Sequence, residues 1–488
     1  MRSSNGRLIA SLLALVCTRA PGRCTAAQAD FKEGSLTLRL YSSAVLSLAR
    51  SFASANSAND TYSSVIRLAL ESPKPDDKAL TAFEENPVFV YAKAGVSWPA
   101  GALQNARRPG LPRWVRRLII LRPSIFVIDD EAPGLGSQAP MEWRLYAQNK
   151  PEITGQKARV VEGDEELSCE TLLPHEVTYQ ISHESSGEPQ SDRYFVKITP
   201  QGSTSASRFL HVLHATKGLP KPKVKSELIE EVGHWRLTIS TEDRIFRLDL
   251  PRPSEGAGDI AISTANGRSL LENRPLPSGI LPHGPEGTRL LQLWDADYRG
   301  QHPAAWDIGR PADELQKVVS RGTVRACRVV DLCCGSGTDA IYLASQGFDV
   351  TAVDIAPTAL SQAEQKARKA GVSVRWVLAD VLAPPNLEPF DFIYDRGCYH
   401  VVRDQNLAAY LETLRLFSHP GTWFLLLAAR RENQAGVRPS QGVAEEELRY
   451  DFLPLFDLEW LREIRLESNQ PGTAPPGWSA LLRRKAEP

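Results

Sequence analysis

The run Arg328-Val-Val-Asp-Leu-Cys-Cys-Gly-Ser-Gly-Thr338 constrains the fold more than any other stretch of this chain. An apolar β-type run enters a loop of small residues, and a helical pattern opens directly behind it. Gly335 and Gly337 let the backbone turn sharply and leave no side chain between it and a ligand. Buried-strand patterns follow at Val350–Val353, Val374–Val377, Phe392–Tyr394 and Trp423–Ala428. Helical stretches Asp339–Gln346, Thr358–Ala370 and Asn406–Phe417 alternate with them. Such alternation implies a parallel, doubly wound α/β sheet, whose ligands sit at the carboxyl ends of the strands. Asp354 closes the second strand, 17 residues after Gly337, where a carboxylate accepts both hydroxyls of a ribose. Asp380 follows the third strand, placed to receive an exocyclic amine. A glycine loop alone is weak evidence; the loop and the two acids in order are strong. The competing reading is that both acids cap the helices that follow.

From residue 31 to about 270 the texture differs: short β-type runs broken by turn signals. The clearest lies within Trp114–Asp130, where two β-branched runs flank Arg122-Pro123-Ser124 and read as a hairpin. Glu142–Tyr146, Val177–Ile181, Tyr194–Ile198, Phe209–Leu213, Trp235–Ile239 and Ile245–Leu250 are further strand candidates. This spacing predicts an antiparallel β-sandwich. Only Ser42–Ala55 and Ser63–Leu70 look helical in that half. Pro- and Gly-rich stretches at 251–258 and 274–287 place a boundary near residue 280. The expected layout is two domains: a sandwich over 31–272, a linker over 273–289, and the α/β domain over 290–488.

Lys+Arg number 57 and Asp+Glu 58, a formal charge of −1 that provides no general basic field, so no nucleic-acid partner is expected. Seven cysteines are too few for a disulfide scaffold, and the adjacent Cys333 and Cys334 suit neither a redox CxxC pair nor a zinc knuckle; no metal site is expected. Met1–Ala29 reads as a secretory signal: Arg2 and Arg7, an apolar core Leu8–Val16, then Ala27-Gln28-Ala29. The alternative is a leader that is never processed. Elsewhere no apolar run approaches the ~20 residues that span a bilayer.

The C-terminal part, roughly 290–488, resembles the class I S-adenosylmethionine-dependent methyltransferases, with their Rossmann-like fold. Asp331-Leu-Cys-Cys-Gly-Ser-Gly337 stands where that family has its acidic-x-Gly-x-Gly-x-Gly loop. Val353-Asp354-Ile355 matches the second motif and Ala379-Asp380-Val381 the adenine-side acid. Cys333 departs from the pattern by occupying the first glycine position, which narrows the approach of the cofactor's methionine part. Within the family the likeness is closest to the thiopurine S-methyltransferase-like branch, which acts on small soft nucleophiles. Trp306-Asp-Ile-Gly-Arg-Pro311, Tyr394-Asp-Arg-Gly-Cys-Tyr-His400 and Pro475-Pro-Gly-Trp-Ser479 carry that likeness. It implies S-adenosyl-L-methionine as cofactor, a small-molecule methyl acceptor, and cofactor contacts from Trp306, Arg310, Asp331, Cys333, Gly335, Gly337, Asp354, Ile355, Asp380 and Val381. Asp395 and Arg396 are then expected near the methyl-transfer centre. Their competing reading is an internal ion pair, and His400 is either a general base or a satisfied interior histidine. Methyl transfer from a sulfonium is an in-line displacement in which the protein aligns the nucleophile and excludes water. A soft anion needs little base; an alcohol or amine would call on His400 or Asp395.

Tyr62–His214 resembles the C-terminal β-sandwich of heparinase II/III-like polysaccharide lyases, through Arg116–Asp130, Thr171-Leu-Leu-Pro174 and Phe209–Leu213. That family's catalytic toroid has no counterpart before residue 40, so the likeness implies a fold and carbohydrate contact without catalytic residues. His211 and His214 are expected on two faces of a strand edge, in packing roles. The readings that compete are a methyltransferase fused behind a lyase-type sandwich, a carbohydrate-binding or structural protein with an inactive methyltransferase domain, and a secreted lyase, which the missing toroid disfavours. Cofactor supply favours the cytoplasm; a processed leader would place the chain outside it.

Overall fold

The computed structural model describes residues 27–32, 35–41, 45, 80–97, 113–132, 141–184, 193–201, 208–218, 223–252, 256–300, 303–385, 387–431, 442–470 and 474–486. The leader through residue 26 and most of the two helical candidates, Ser42–Ala55 and Ser63–Leu70, lie outside them.

The first half is made of three sheets. A central eight-stranded sheet runs in the order Leu80–Glu85, Phe89–Ser97, Arg113–Leu121, Ile125–Glu131, Arg208–Lys217, Glu165–Leu173, Lys157–Glu162, Glu152–Thr154, with antiparallel neighbours throughout. Its one face shares a core with a five-stranded sheet containing Met141–Ala147 and Arg193–Pro200: Trp143, Leu145, Val196 and Ile198 meet Phe126, Ile128, Phe209 and Leu213. Its other face packs on a second five-stranded sheet, an antiparallel meander from Lys225–Glu231 to Ser269–Pro275. Trp235, Leu237 and Phe246 there meet Tyr91, Ile119, Val127 and Val212. Three layers therefore replace the two of a simple sandwich. The hairpin Arg113–Leu121/Ile125–Glu131 forms as its sequence predicts, and the second strand is buried at every residue because both faces are covered. That double burial is why Ile125-Phe-Val-Ile128 reads as a continuous apolar run rather than an alternating one.

Charges in this buried hairpin are paired across strands. Arg116 Nε donates to Asp130 Oδ1 at 2.7 Å, and Asp129 accepts from both Arg117 and Arg208. Trp143 Nε1 donates to Asp130 Oδ2 at 3.0 Å. Such pairing is what makes burial of these groups tolerable. His211 and His214 do fall on opposite faces, His211 fully buried against the Trp143 ring at 3.9 Å, but their strand is interior rather than an edge.

The second half is the α/β unit. Its strands are β1 (Arg328–Leu332), β2 (Asp349–Asp354), β3 (Arg375–Leu378), β4 (Phe390–Arg396), β5 (Ser418–Ala429), β6 (Phe456–Arg465) and β7 (Pro476–Arg484). Its helices are α1 (Gly284–Arg299), α2 (Asp313–Ser320), α3 (Thr338–Ser345), α4 (Pro357–Ala370), α5 (Tyr399–Leu416) and α6 (Glu445–Phe452). The sheet order is β3-β2-β1-β4-β5-β7-β6, parallel through β5, with β7 antiparallel to both neighbours. The strand order reverses between the parallel neighbours β1 and β4, so the crevice at their carboxyl ends is the topological switch point. Of the stretch 273–289 expected as linker, a strand ends at Pro275 and α1 begins at Gly284. The residues between are tied on both sides: Ser278 N–H donates to Leu378 O at 2.9 Å, and Leu281 N–H to Phe83 O at 2.9 Å.

Candidate active site

The loop after β1 leaves the sheet at Cys333, the one described non-glycine residue with a left-handed backbone (φ +54°). Gly335 and Gly337 follow at φ +55° and +77°, conformations that side chains disfavour. A Cβ on Gly335 would lie 2.6 Å from Tyr298 Oη of α1, and one on Gly337 would lie 2.6 Å from the Trp376 ring. The loop is therefore clasped from both sides. Its amides meet Asp354 at the end of β2, whose Oδ2 accepts from Gly335 N–H at 2.7 Å and Oδ1 from Ala356 N–H at 2.8 Å. Burial raises the Asp354 pKa to about 6.

A pocket opens between this loop, β1, β4 and the segment 306–310, lined by Asp331, Cys333, Ser336, Asp339, Trp306, Asp307, Arg310 and Arg396 among others. Asp331 Oδ2 is buried there with no hydrogen-bond partner among the described residues. Burial first, then the neighbouring Asp339, Asp395 and Asp354, hold its carboxyl well above the usual range.

A family profile described as a methyltransferase domain matches residues 329–421, from β1 into β5. A 2-heptyl-1-hydroxyquinolin-4(1H)-one methyltransferase of Mycobacteroides abscessus is 28% identical over 195 residues, which covers 38% of this chain and 84% of that relative. A probable S-adenosyl-L-methionine-dependent methyltransferase, TehB, of Haemophilus influenzae is 24% identical over 106 residues, 22% of this chain and 37% of that one. The C-terminal part is a class I S-adenosylmethionine-dependent methyltransferase. A solved structure of the N-methyltransferase NodS from Bradyrhizobium japonicum, in complex with S-adenosyl-L-homocysteine, is 15% identical with a TM-score of 0.34, covering 40% of this chain and 97% of that one.

The methyltransferase's cofactor is S-adenosyl-L-methionine, and the residues present fit it. Its α-ammonium would supply a donor of the kind that the orphaned Asp331 oxygen lacks, and Gly335 and Gly337 carry no side chains that would obstruct it. Ile355 packs, with Leu291, against an apolar cluster of Leu281, Leu360 and Leu378. Asp380 follows β3, its pKa raised by burial and its Oδ1 accepting from Leu382 N–H at 2.8 Å; Val381 turns into the core. Trp306 is 42% exposed at the rim, its Nε1 donating to Tyr298 Oη at 3.0 Å. Arg310 is held by Asp313 and, at 2.8 Å, by Glu467.

The three residues expected at the transfer centre separate. Asp395 is fully buried and accepts from Cys398 N–H, Tyr399 N–H and Tyr410 O–H, so it fixes the start of α5 rather than facing an acceptor. Burial raises its pKa to about 7 despite those bonds. It makes no ion pair with Arg396, whose guanidinium donates instead to the carbonyls of Trp306 (3.0 Å) and Glu467 (3.4 Å) at the pocket mouth. His400 is largely buried, its Nδ1 accepts from Ala429 N–H at 3.3 Å, and burial lowers its pKa to about 4. The interior-histidine reading describes it.

Three contributors escaped the sequence reading: Tyr298, Asp307 and Asp339. Asp307 accepts from Ser336 Oγ at 2.5 Å and pairs with Lys366 at 3.4 Å, latching the 306–310 segment onto the glycine loop. Asp339 accepts from Ala312 N–H (2.8 Å) and Tyr394 O–H (3.0 Å). Asp307 sits in the Trp-Asp-Ile-Gly motif and so had a signal; Tyr298 lies on a helix with none. Cys333 is joined to Cys398 by a disulfide with Cα atoms 5.6 Å apart. Among the described residues no group of His, Cys, Asp and Glu is arranged to hold a metal, and no helix is long and apolar enough to cross a membrane.

Proposed function

We propose that the chain transfers a methyl group from S-adenosylmethionine to a small soft nucleophile that reaches the pocket already ionised. The observation that carries this reading is that neither base candidate lines the pocket: Asp395 is spent on α5, and His400 accepts from Ala429 N–H and is made a weak base by burial, with a pKa of about 4. Without deprotonation by the protein, a thiolate or an acidic N-hydroxy group is served better than an alcohol or alkylamine. The M. abscessus relative, named for a hydroxyquinolone, supports an acceptor of that kind. Arg396 presents positive charge at the pocket mouth for an anionic acceptor, and the Trp306 and Tyr298 rings roof the site against water.

When bound, S-adenosylmethionine supplies an activated methyl carbon. Asp331 would hold its ammonium. Asp354, whose two amide bonds leave further lone pairs, would take the ribose hydroxyls, and Ile355 and Asp380 the adenine. Residues 290–488 are the domain assigned to this work, in the thiopurine-methyltransferase-like branch. The layered sheets of 31–272 are assigned the heparinase II/III-like module, with carbohydrate contact as its role. The cytoplasm, where the cofactor is made, is the assigned compartment.

Titration of the protein with S-adenosylmethionine, followed by turnover of a small thiol and of an aliphatic alcohol, tests the reading. Asp354→Ala should weaken cofactor binding about ten- to a hundredfold, the loss of a charge-assisted acceptor of ~1.5–3 kcal/mol. An unchanged dissociation constant in the folded variant would sink the ribose assignment, and faster turnover of the alcohol would sink the soft-nucleophile one.

A further inference from the structure

We infer that Cys333 and Cys398 form a thiol–disulfide exchange site that constricts the cofactor crevice when oxidised and relaxes it when reduced, with a dithiol reductant as its reaction partner. The inference rests on the cofactor reading above.

Cys333 leaves β1, and Cys398 immediately precedes α5 behind β4. These two strands are direct parallel neighbours, Leu332 opposite Asp395. Their connections depart to opposite faces of the sheet, and that divergence is what opens the crevice at the switch point. A covalent bond between Cys333, the first residue after β1, and Cys398, the second after β4, joins the two departing connections at that switch point. Cys333 lines the pocket itself, in the position that the family's loop gives to glycine. Cys398 is 2% exposed, and its backbone N–H is fixed by Asp395 at 2.9 Å. The bridge thus ties the glycine loop of the cofactor site to the start of α5, which Asp395 anchors. The Cα separation of 5.6 Å allows the bond without backbone movement. Cys334, the next residue, is outside the bridge, lines the same pocket and packs against apolar neighbours.

Opening balances as two successive exchanges. A thiolate of the dithiol attacks one sulfur of the bridge, and the bridge's other sulfur leaves as a thiolate and takes a proton. The reagent's second thiol then displaces the mixed disulfide. The protein ends with two thiols and the reagent with one disulfide. The same pair would stay open in a reducing compartment and close in an oxidising one, which links the activity of the site to where the chain resides.

The test uses the full chain, oxidised with a small-molecule disulfide or reduced with dithiothreitol, with peptide mapping to read the 333–398 cross-link. S-adenosylhomocysteine is then titrated calorimetrically into each form. The reduced protein should bind at least tenfold more tightly than the cross-linked one. Cys398→Ser, and Cys398→Ala should the first fold poorly, should bind alike under both conditions. Equal affinity of the mapped cross-linked and reduced forms overturns the inference, as does redox sensitivity that survives in the Cys398 variants, or failure of the cross-link to form. Absence of binding by every folded form overturns the cofactor reading on which it stands, a result distinct from the others.

Discussion

Single buried carboxyls set how this site responds to pH. Asp331 is held above the usual carboxylate range by burial and by three neighbouring acids, and the cofactor's ammonium favours its ionised form. Cofactor binding should therefore release protons, and the dissociation constant should rise as pH falls. Calorimetry in two buffers of different ionisation enthalpy measures the release; none at any pH at which the protein stays folded would remove Asp331 from the ammonium site. Asp395 makes a second prediction. Its folded pKa of about 7 lies above the unfolded value, so the folded state binds the proton more tightly. The stability it supports is full below pH ~4 and is lost as pH rises to about 7, with a slope of up to ~1.4 kcal/mol per pH unit for this one group. Asp395→Asn should flatten part of that decline in denaturation curves at pH 5 and 8. An unchanged pH dependence would show that the buried carboxyl is already ionised across that range.

At the scale of elements, helix starts and glycine turns place the site. α5 begins at Tyr399 and breaks at Asn406, whose backbone is extended (φ −162°) and whose Oδ1 accepts Ala409 N–H at 3.1 Å. Asn406 thus caps a second helical segment, which is why the periodic pattern in the sequence begins there rather than at Tyr399. Gly337 and Gly371 have similar backbones, φ +77° and +68°, but different surroundings. A Cβ on Gly337 would run into Trp376 and Ala363, where β3 and α4 close on the loop, whereas Gly371 faces open space. Gly371→Ala should cost about 1 kcal/mol of left-handed strain, and Gly337→Ala clearly more, about 2–4 kcal/mol, as the packing must shift. Equal melting shifts for the two variants would mean that the loop is not clasped.

The whole molecule joins its halves through residues 276–283. Leu281 is 1% exposed, packs with Leu360 and Leu378, and is tied by its amide to Phe83 of the eight-stranded sheet. Asp259 of the meander lies near Glu364 and Arg368 of α4, its pKa raised to about 6 chiefly by burial. A fragment spanning 285–488 holds every strand of the α/β sheet yet lacks Leu281 and the Ser278–Leu378 bond. A fragment spanning 276–488 should be more stable by about 2 kcal/mol, the burial of one leucine, and should bind S-adenosylmethionine more tightly. Equal denaturation midpoints for the two fragments would make the junction a passive linker.

The sequence by itself determined the α/β unit, because a parallel sheet writes its strands as apolar runs and its glycine loop as small residues, both local properties. It likewise placed Asp331, Asp354 and Asp380 at strand ends, and the hairpin around Pro123 in the first half. Tertiary structure decided the rest. Whether Asp395 and His400 face an acceptor or the interior depends on Tyr410 and Ala429, which are distant from them in sequence. The layering of the first half depends on which faces of Ile125–Glu131 are covered, and an apolar run buried on two faces does not say by what. The approach of Cys398 to Cys333, 65 residues apart, follows only once β1 and β4 pair side by side, a non-local register that no local pattern encodes.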